Sequence, residues 1–108
     1  MKTKSMPLTR NGNGMRVRWL RKAIQNLDAA ADYIAQDNPK AAAELFLYVK
    51  SKVDALSDFP ATGRPGRVPG TRELLIDRYP FLVPYRVIVD ELHVLRVFHT
   101  RRKPPKTW

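Results

Sequence analysis

The chain has 108 residues, with 20 Lys and Arg against 10 Asp and Glu, a formal charge of +10, and no cysteine. This length gives room for one domain with a modest core, and the absence of cysteine excludes a disulfide framework and a thiolate zinc site, so packing must supply the stability. The cationic excess favours an anionic partner, either nucleic acid or an acidic protein surface, and no apolar run approaches the length of a membrane span.

Residues 1–14 have almost no apolar content and end in Asn-Gly-Asn-Gly, a turn or flexible segment. They are predicted to be a flexible N-terminal extension, with the folded domain at 15–108. The basic start lacks the continuous apolar stretch of a signal peptide, which predicts a cytoplasmic protein. Alternation over Arg16-Val17-Arg18-Trp19-Leu20 suits a first strand. The period then changes. Leu20, Ile24, Leu27, Ala31 and Ile34 recur at steps of four and three, predicting a helix over 21–37 with one apolar stripe. Asp37-Asn38-Pro39 interrupts it, because the residue before proline avoids the α region while proline suits a first helical turn. A second helix is predicted over 39–57, with Ala42, Leu45 or Phe46, Val49, Val53 and Leu56 buried, and the two form an αα-hairpin. Tyr33, Phe46 and Tyr48 are assigned to the core.

Residues 59–70 hold three prolines and three glycines, a loop stiffened by proline. Its Gly63-Arg64-Pro65-Gly66 lacks the Gly-Lys-Ser/Thr ending of a phosphate-cradling loop, so it reads as a connector carrying two arginines. Three strands follow at 71–76, 82–89 and 92–98, rich in Val, Ile, Leu and aromatics, as an antiparallel meander. Pro84 inside the second predicts a bulge or a late strand start. With Asp90-Glu91 at a hairpin tip, Val89 faces Leu92, Val87 faces Val94, Tyr85 faces Arg96 and Val83 faces Phe98, giving one apolar face. Asp-Glu is a poor two-residue turn, so a four-residue loop is expected. The other face then mixes Leu82, Arg86, Ile88, His93, Leu95, Val97 and His99, and is the candidate for partner contact. The fold class is α+β: β-α-α-β-β-β, a helical hairpin packed on a small antiparallel sheet.

Order and motif together carry a resemblance. Met15-Arg16-Val17, two helices, Phe59-Pro60, Gly63-Arg64-Pro65-Gly66, Gly70-Thr71-Arg72-Glu73-Leu74, Pro84-Tyr85-Arg86-Val87 and the run from Leu95 to Arg102 resemble the RelE/ParE superfamily of bacterial toxins. The resemblance implies a toxin of a type II toxin–antitoxin pair, without cofactor, neutralised by a ParD-like antitoxin and meeting operator DNA only through it. RelE-like members cleave mRNA in the ribosomal A site, whereas ParE-like members inhibit DNA gyrase. The RelE-type pattern places an Arg on the middle strand three residues before the tyrosine matching Tyr85; here that residue is Leu82, which cannot stabilise a pentavalent phosphate. Thr100 likewise replaces the tyrosine that often follows the histidine matching His99. The ParE-like reading is therefore preferred, with contact to target or antitoxin expected from Arg86, Arg96, His99, Arg101, Arg102, Lys103 and Trp108. Under the nuclease alternative, His99, Arg101 and Arg102 become the catalytic candidates.

The same residues have plain structural roles. His93 and His99 suit hydrogen-bonded strand ends, and two histidines without cysteine or an acidic cluster make a poor metal site. Arg96 is open to stacking on Tyr85, and Glu73 and Asp77 to pairing with Arg72 and Arg78 at the surface. Trp108, at the end of a basic Pro-Pro tail, is costly to leave exposed and either folds back or lies in an interface. A third reading, a non-toxic basic nucleic-acid-binding module, predicts salt-dependent binding without growth arrest.

Overall fold

The structure, a computed structural model, describes residues 9–10 and 14–108. The elements run β1 (Thr9–Arg10), β2 (Arg16–Trp19), α1 (Arg21–Ala35), α2 (Pro39–Ala55), β3 (Arg64–Pro65), β4 (Arg72–Leu75), β5 (Phe81–Ile88), β6 (Glu91–Val94) and β7 (Phe98–His99). Apart from β1 and Gly14, the expected N-terminal extension lies outside the described residues. The break between the helices forms as the sequence dictates. Asn38 is extended and its side chain accepts from the Ala41 N–H at 3.0 Å, with Pro39 opening α2.

The sheet order is β1-β2-β6-β5-β4-β3, with β7 also pairing β5. All pairs are antiparallel except β2 with β6, because the helical hairpin carries the chain back across the sheet before β6 is laid beside β2. The architecture is thus the expected α+β, a helical hairpin on one sheet face. Between them lie Val17 and Trp19 of β2, Ile24 and Leu27 of α1, Leu45, Val49 and Val53 of α2, and Val83, Tyr85, Leu92 and Val94 of the sheet, all buried. Each fully buried aliphatic side chain contributes roughly 1.5–3 kcal/mol by leaving water. Leu45 takes the core position and Phe46 packs at its margin, whereas Tyr33 is 76% exposed and is not core.

The hairpin register differs from expectation by two residues. Tyr85 faces Val94 and Val87 faces Leu92, so Val89 and Asp90 form a two-residue turn, with Val89 at φ +56°. A shift of two keeps each side chain on its face, so the apolar inner surface survives. The third strand is interrupted, however. Leu82 pairs with Phe98 and Phe81 with His99, one residue out of step with Tyr85 and Val94. The slip falls opposite Pro84, which lies in mid-strand, lacks an N–H, and only accepts, through its carbonyl, from the Leu95 N–H at 2.9 Å. The expected bulge is therefore on the partner strand, and β5 does not start late. Its consequence is a swap of faces: His99 turns to the helix side and Phe98 to the outer side, the reverse of the alternation read from sequence.

The 59–70 connector is fixed from beneath. The buried Tyr85 hydroxyl donates to the Pro60 carbonyl at 2.6 Å and accepts from the Gly63 N–H at 2.9 Å, and burial pushes the phenol pKa up, keeping it a donor. Arg72 does not pair with Glu73; it donates to the Gly63 carbonyl at 2.7 Å. Glu73, only 6% exposed, accepts from the Arg67 backbone N–H at 2.9 Å and pairs with Arg64 at 3.4 Å. Asp77 accepts from the Tyr48 hydroxyl, not from Arg78, whose guanidinium lies 4.9 Å over the Tyr48 ring. Arg64 and Arg67 thus have structural partners, as the connector reading requires.

Candidate functional site

The face swap at the bulge brings three of the expected residues together. His99, Arg96 and Arg102 line a cleft of about 570 Å³ between α1 and the β5–β7 end of the sheet, with Ala29, Ala30, Tyr33 and Ile34 on the helix side and Tyr79 and Phe81 below. Its charged lining groups are the arginines and, when protonated, the histidine; no carboxylate lines it. His99 is held by an edge-on contact with Phe81, ring centroids 5.5 Å apart, and its Nδ1 accepts from the Arg101 backbone N–H at 3.1 Å. With Nδ1 accepting, the neutral ring carries its proton on Nε2, which is the nitrogen placed to donate to a partner.

Arg96 does not stack on Tyr85. Its Nε donates to the Asn26 side-chain oxygen at 2.8 Å, and the same oxygen accepts from the Val97 N–H at 3.1 Å. Asn26 therefore ties the irregular 95–97 segment to α1 and aims Arg96 along the cleft wall. Nothing marked it in the sequence, where it is one polar residue on a helix. Asn26→Ala is expected to cost about 1–2 kcal/mol, because two donors lose one acceptor; urea unfolding measures this, and an unchanged midpoint would show the segment is held by packing alone.

Arg86 lies elsewhere. It is exposed on the outer sheet face, opposite His93, which is opposite Arg18; the next row is Ile88, Glu91 and Arg16. Glu91 accepts from His93 at 2.9 Å and pairs with Arg16 at 3.1 Å and Arg18 at 3.4 Å. The His93 hydrogen bond, then the two arginines, hold its carboxyl below the usual glutamate range. A carboxyl with a depressed folded pKa contributes stability that is complete above its unfolded pKa and is lost as pH falls through the folded value. Wild-type stability should therefore decline on the acid side of the ordinary glutamate range, and Glu91→Gln should flatten that part of the profile. Equal acid dependence in both proteins would remove the Glu91 cluster as its source.

Arg101 and Lys103 are exposed on the C-terminal segment, which folds back. Trp108 packs edge-on against Phe98 at 5.4 Å with the Arg67 guanidinium 4.9 Å over its ring, while its Nε1–H is enclosed without an acceptor. Stacking holds the end of this arm, and the Arg67 guanidinium also donates a long hydrogen bond to the Lys106 carbonyl at 3.5 Å. The expected contact residues thus divide into a cleft group (Arg96, His99, Arg102), an outer-face residue (Arg86), and an arm (Arg101, Lys103, Trp108). Tyr33 joins the cleft unexpectedly; its place in the helix read as core, and only the exposure of its ring marks it out.

Among the described residues, no group of three or more His, Cys, Asp or Glu is placed to hold a metal ion, and no helix is long and apolar enough to cross a membrane.

Comparison with known proteins gives consistent matches. The family model described as the ParE toxin of a type II toxin–antitoxin system, parDE, matches residues 17–104. The Sinorhizobium fredii protein Y4kP is 41% identical over 91 residues, covering 84% of this chain and 94% of that protein. Toxin RelE2 of Caulobacter vibrioides is 33% identical over 84 residues, covering 78% and 93%. A chain of the chromosomal ParDE TA system from P. aeruginosa superposes with a TM-score of 0.73 at 34% identity, covering 82% of this chain and 98% of that one.

Proposed function

The chain belongs to the ParE toxin family of type II toxin–antitoxin systems, and from that membership we propose that it inhibits DNA gyrase, is neutralised by a cognate ParD-like antitoxin, and acts in the cytoplasm. The observation that carries the gyrase reading is at Leu82. This half-buried side chain pairs with buried Phe98 on β7, an apolar pair where the nuclease pattern requires a cation for the phosphate. With the ring of His99 packed on Phe81 and its Nδ1 engaged, inhibition by contact needs less of these residues than chemistry would. The cleft arginines and the basic arm supply the contact surface, and the +10 charge suits an enzyme already bound to DNA. The antitoxin partnership is supported by the parDE family model and by the P. aeruginosa neighbour, itself part of a ParDE system.

A second reading has its own support, since the Caulobacter relative carries the name RelE2 and His99 gathers with Arg96 and Arg102. As a ribosome-dependent mRNA endonuclease, the protein would use His99 with Arg101 and Arg102 around the scissile phosphate. The gyrase reading is tested by incubating purified toxin with gyrase and plasmid and counting double-strand breaks after denaturation. Accumulating breaks that disappear when a cognate ParD-like antitoxin is added are expected; intact plasmid at saturating toxin would overturn it.

A further inference from the structure

The cleft beside α1 has the dimensions of a small-ligand site. Its volume, about 570 Å³, falls within the range of such clefts, about 300–1,000 Å³. Asn26, Ala30 and Tyr33 recur at steps of four and three, so one face of α1 makes a wall, and the small Ala29 and Ala30 side chains leave the space in front of it open. The side formed by Tyr79 is held in place. The loop before β5 is tied to α2, because the Tyr48 hydroxyl donates to Asp77 and the Tyr48 ring packs on Tyr79 with centroids 5.7 Å apart. The floor is fixed as well, since the Thr100 N–H donates to the Pro80 carbonyl at 2.9 Å and Phe81 meets His99 edge-on. A cleft organised in advance loses little freedom when a ligand enters.

The nitrogens it offers are donors. Arg96 spends Nε on Asn26, which leaves its two Nη groups; Arg102 brings a second guanidinium; and His99, with Nδ1 accepting from Arg101, donates through Nε2. No carboxylate lines the cleft, and the Asn26 side-chain oxygen already accepts twice. Around these donors stand Ile34, Val97 and the rings of Tyr33, Tyr79 and Phe81. Two guanidinium groups beside an apolar wall call for a charged acceptor, and the three rings for a flat apolar body.

We propose that this cleft binds a small aromatic anion, with its ring between α1 and Tyr79 and its carboxylate or phosphate on Arg96, Arg102 and the Nε2–H of His99. Burial of the ring would supply affinity and the donors would fix its orientation. An occupied cleft withdraws these arginines from any larger partner, so the ligand would regulate the contacts that the toxin makes. That consequence rests on the reading of the cleft as a contact surface. The binding itself does not, and it is the same whichever target the toxin attacks.

The test is an NMR titration of the ¹⁵N-labelled full chain with naphthoate, naphthyl phosphate, naphthamide and acetate. The Ala30, Val97 and His99 amides should shift together with naphthoate or naphthyl phosphate, and the tighter of the two identifies the anionic group. Affinity should fall about ten-fold for naphthamide, which keeps the ring without the charge and leaves the protein untouched. It should fall about five-fold with Arg102→Gln, a change at an exposed side chain. Unmoved cleft amides at millimolar naphthoate and naphthyl phosphate, or equal binding of naphthamide, would overturn the proposal. So would equal binding of acetate, because the +10 chain would then be attracting any anion, and so would shifts confined to the arm around Trp108.

Discussion

Replacing Tyr85 with Phe should lower stability by about 2–3 kcal/mol, a larger effect than removing one hydroxyl suggests. The ring would remain, fully buried beneath the connector. What is lost is the donor to Pro60, in a part-buried hydrogen bond, and the acceptor for Gly63, in a buried one. Leaving buried partners unsatisfied costs about 1–3 kcal/mol each, offset in part where the loop can open to solvent. Gly63→Ala should do comparable damage by a different route, since its Cβ would lie 2.6 Å from the Tyr85 hydroxyl and 2.9 Å from the Glu73 carbonyl. For a chain of this length the melting temperature should drop by about 10 °C or more in either case. Because both changes act on one contact, the double variant should lose less than the sum. A Tyr85→Phe protein with an unchanged melting temperature would show that the connector is held by other contacts, and strict additivity would show that the two residues act separately.

The largest effect on activity should come from the arm together with the cleft residue Arg102 at its root. Converting Arg101, Arg102 and Lys103 to Ala should reduce inhibition of the target about ten-fold to a hundred-fold, as expected for three peripheral charges acting together on association with an anionic complex. All three side chains are exposed, so stability should change by less than about 0.5 kcal/mol. Trp108 stacked between Phe98 and Arg67 fixes where the arm begins and ends, which limits the freedom those charges lose on binding. Growth arrest on induction and thermal unfolding of the same variant separate the two effects. Full toxicity with a normal melting curve would remove the arm from the mechanism; lost toxicity with a large loss of stability would assign it to the fold instead.

Both helices and the break between them were legible because their signals are local: an apolar period near four, and Asn38-Pro39 at a cap. The same local reading placed Tyr33 in the core, where the structure exposes it. The strands were legible as elements, but not their register. A two-residue turn with Val89 at positive φ contradicts the usual preference for glycine or asparagine there, so the sequence pointed to the wrong turn. The bulge was signalled by Pro84, yet its effect appears on the facing strand, where it reversed the faces of Phe98 and His99. The site was legible as a set of residue types and not as an arrangement, because Arg96 is positioned by Asn26, 70 residues away. Glu73 looked like a surface partner for its neighbour Arg72; only folding the connector over β4 buries it beneath Arg64 and Arg67.

We propose that this toxin acts on gyrase by contact and not on mRNA by chemistry. The most direct test runs gyrase supercoiling and ribosome-dependent mRNA cleavage side by side, with one preparation of purified protein at matched concentration. Supercoiling should fail with cleaved DNA accumulating, mRNA should stay intact, and His99→Gln should leave the inhibition largely unchanged. Cleaved mRNA with gyrase unaffected would contradict it, and would make His99 and the neighbouring arginines catalytic despite Leu82.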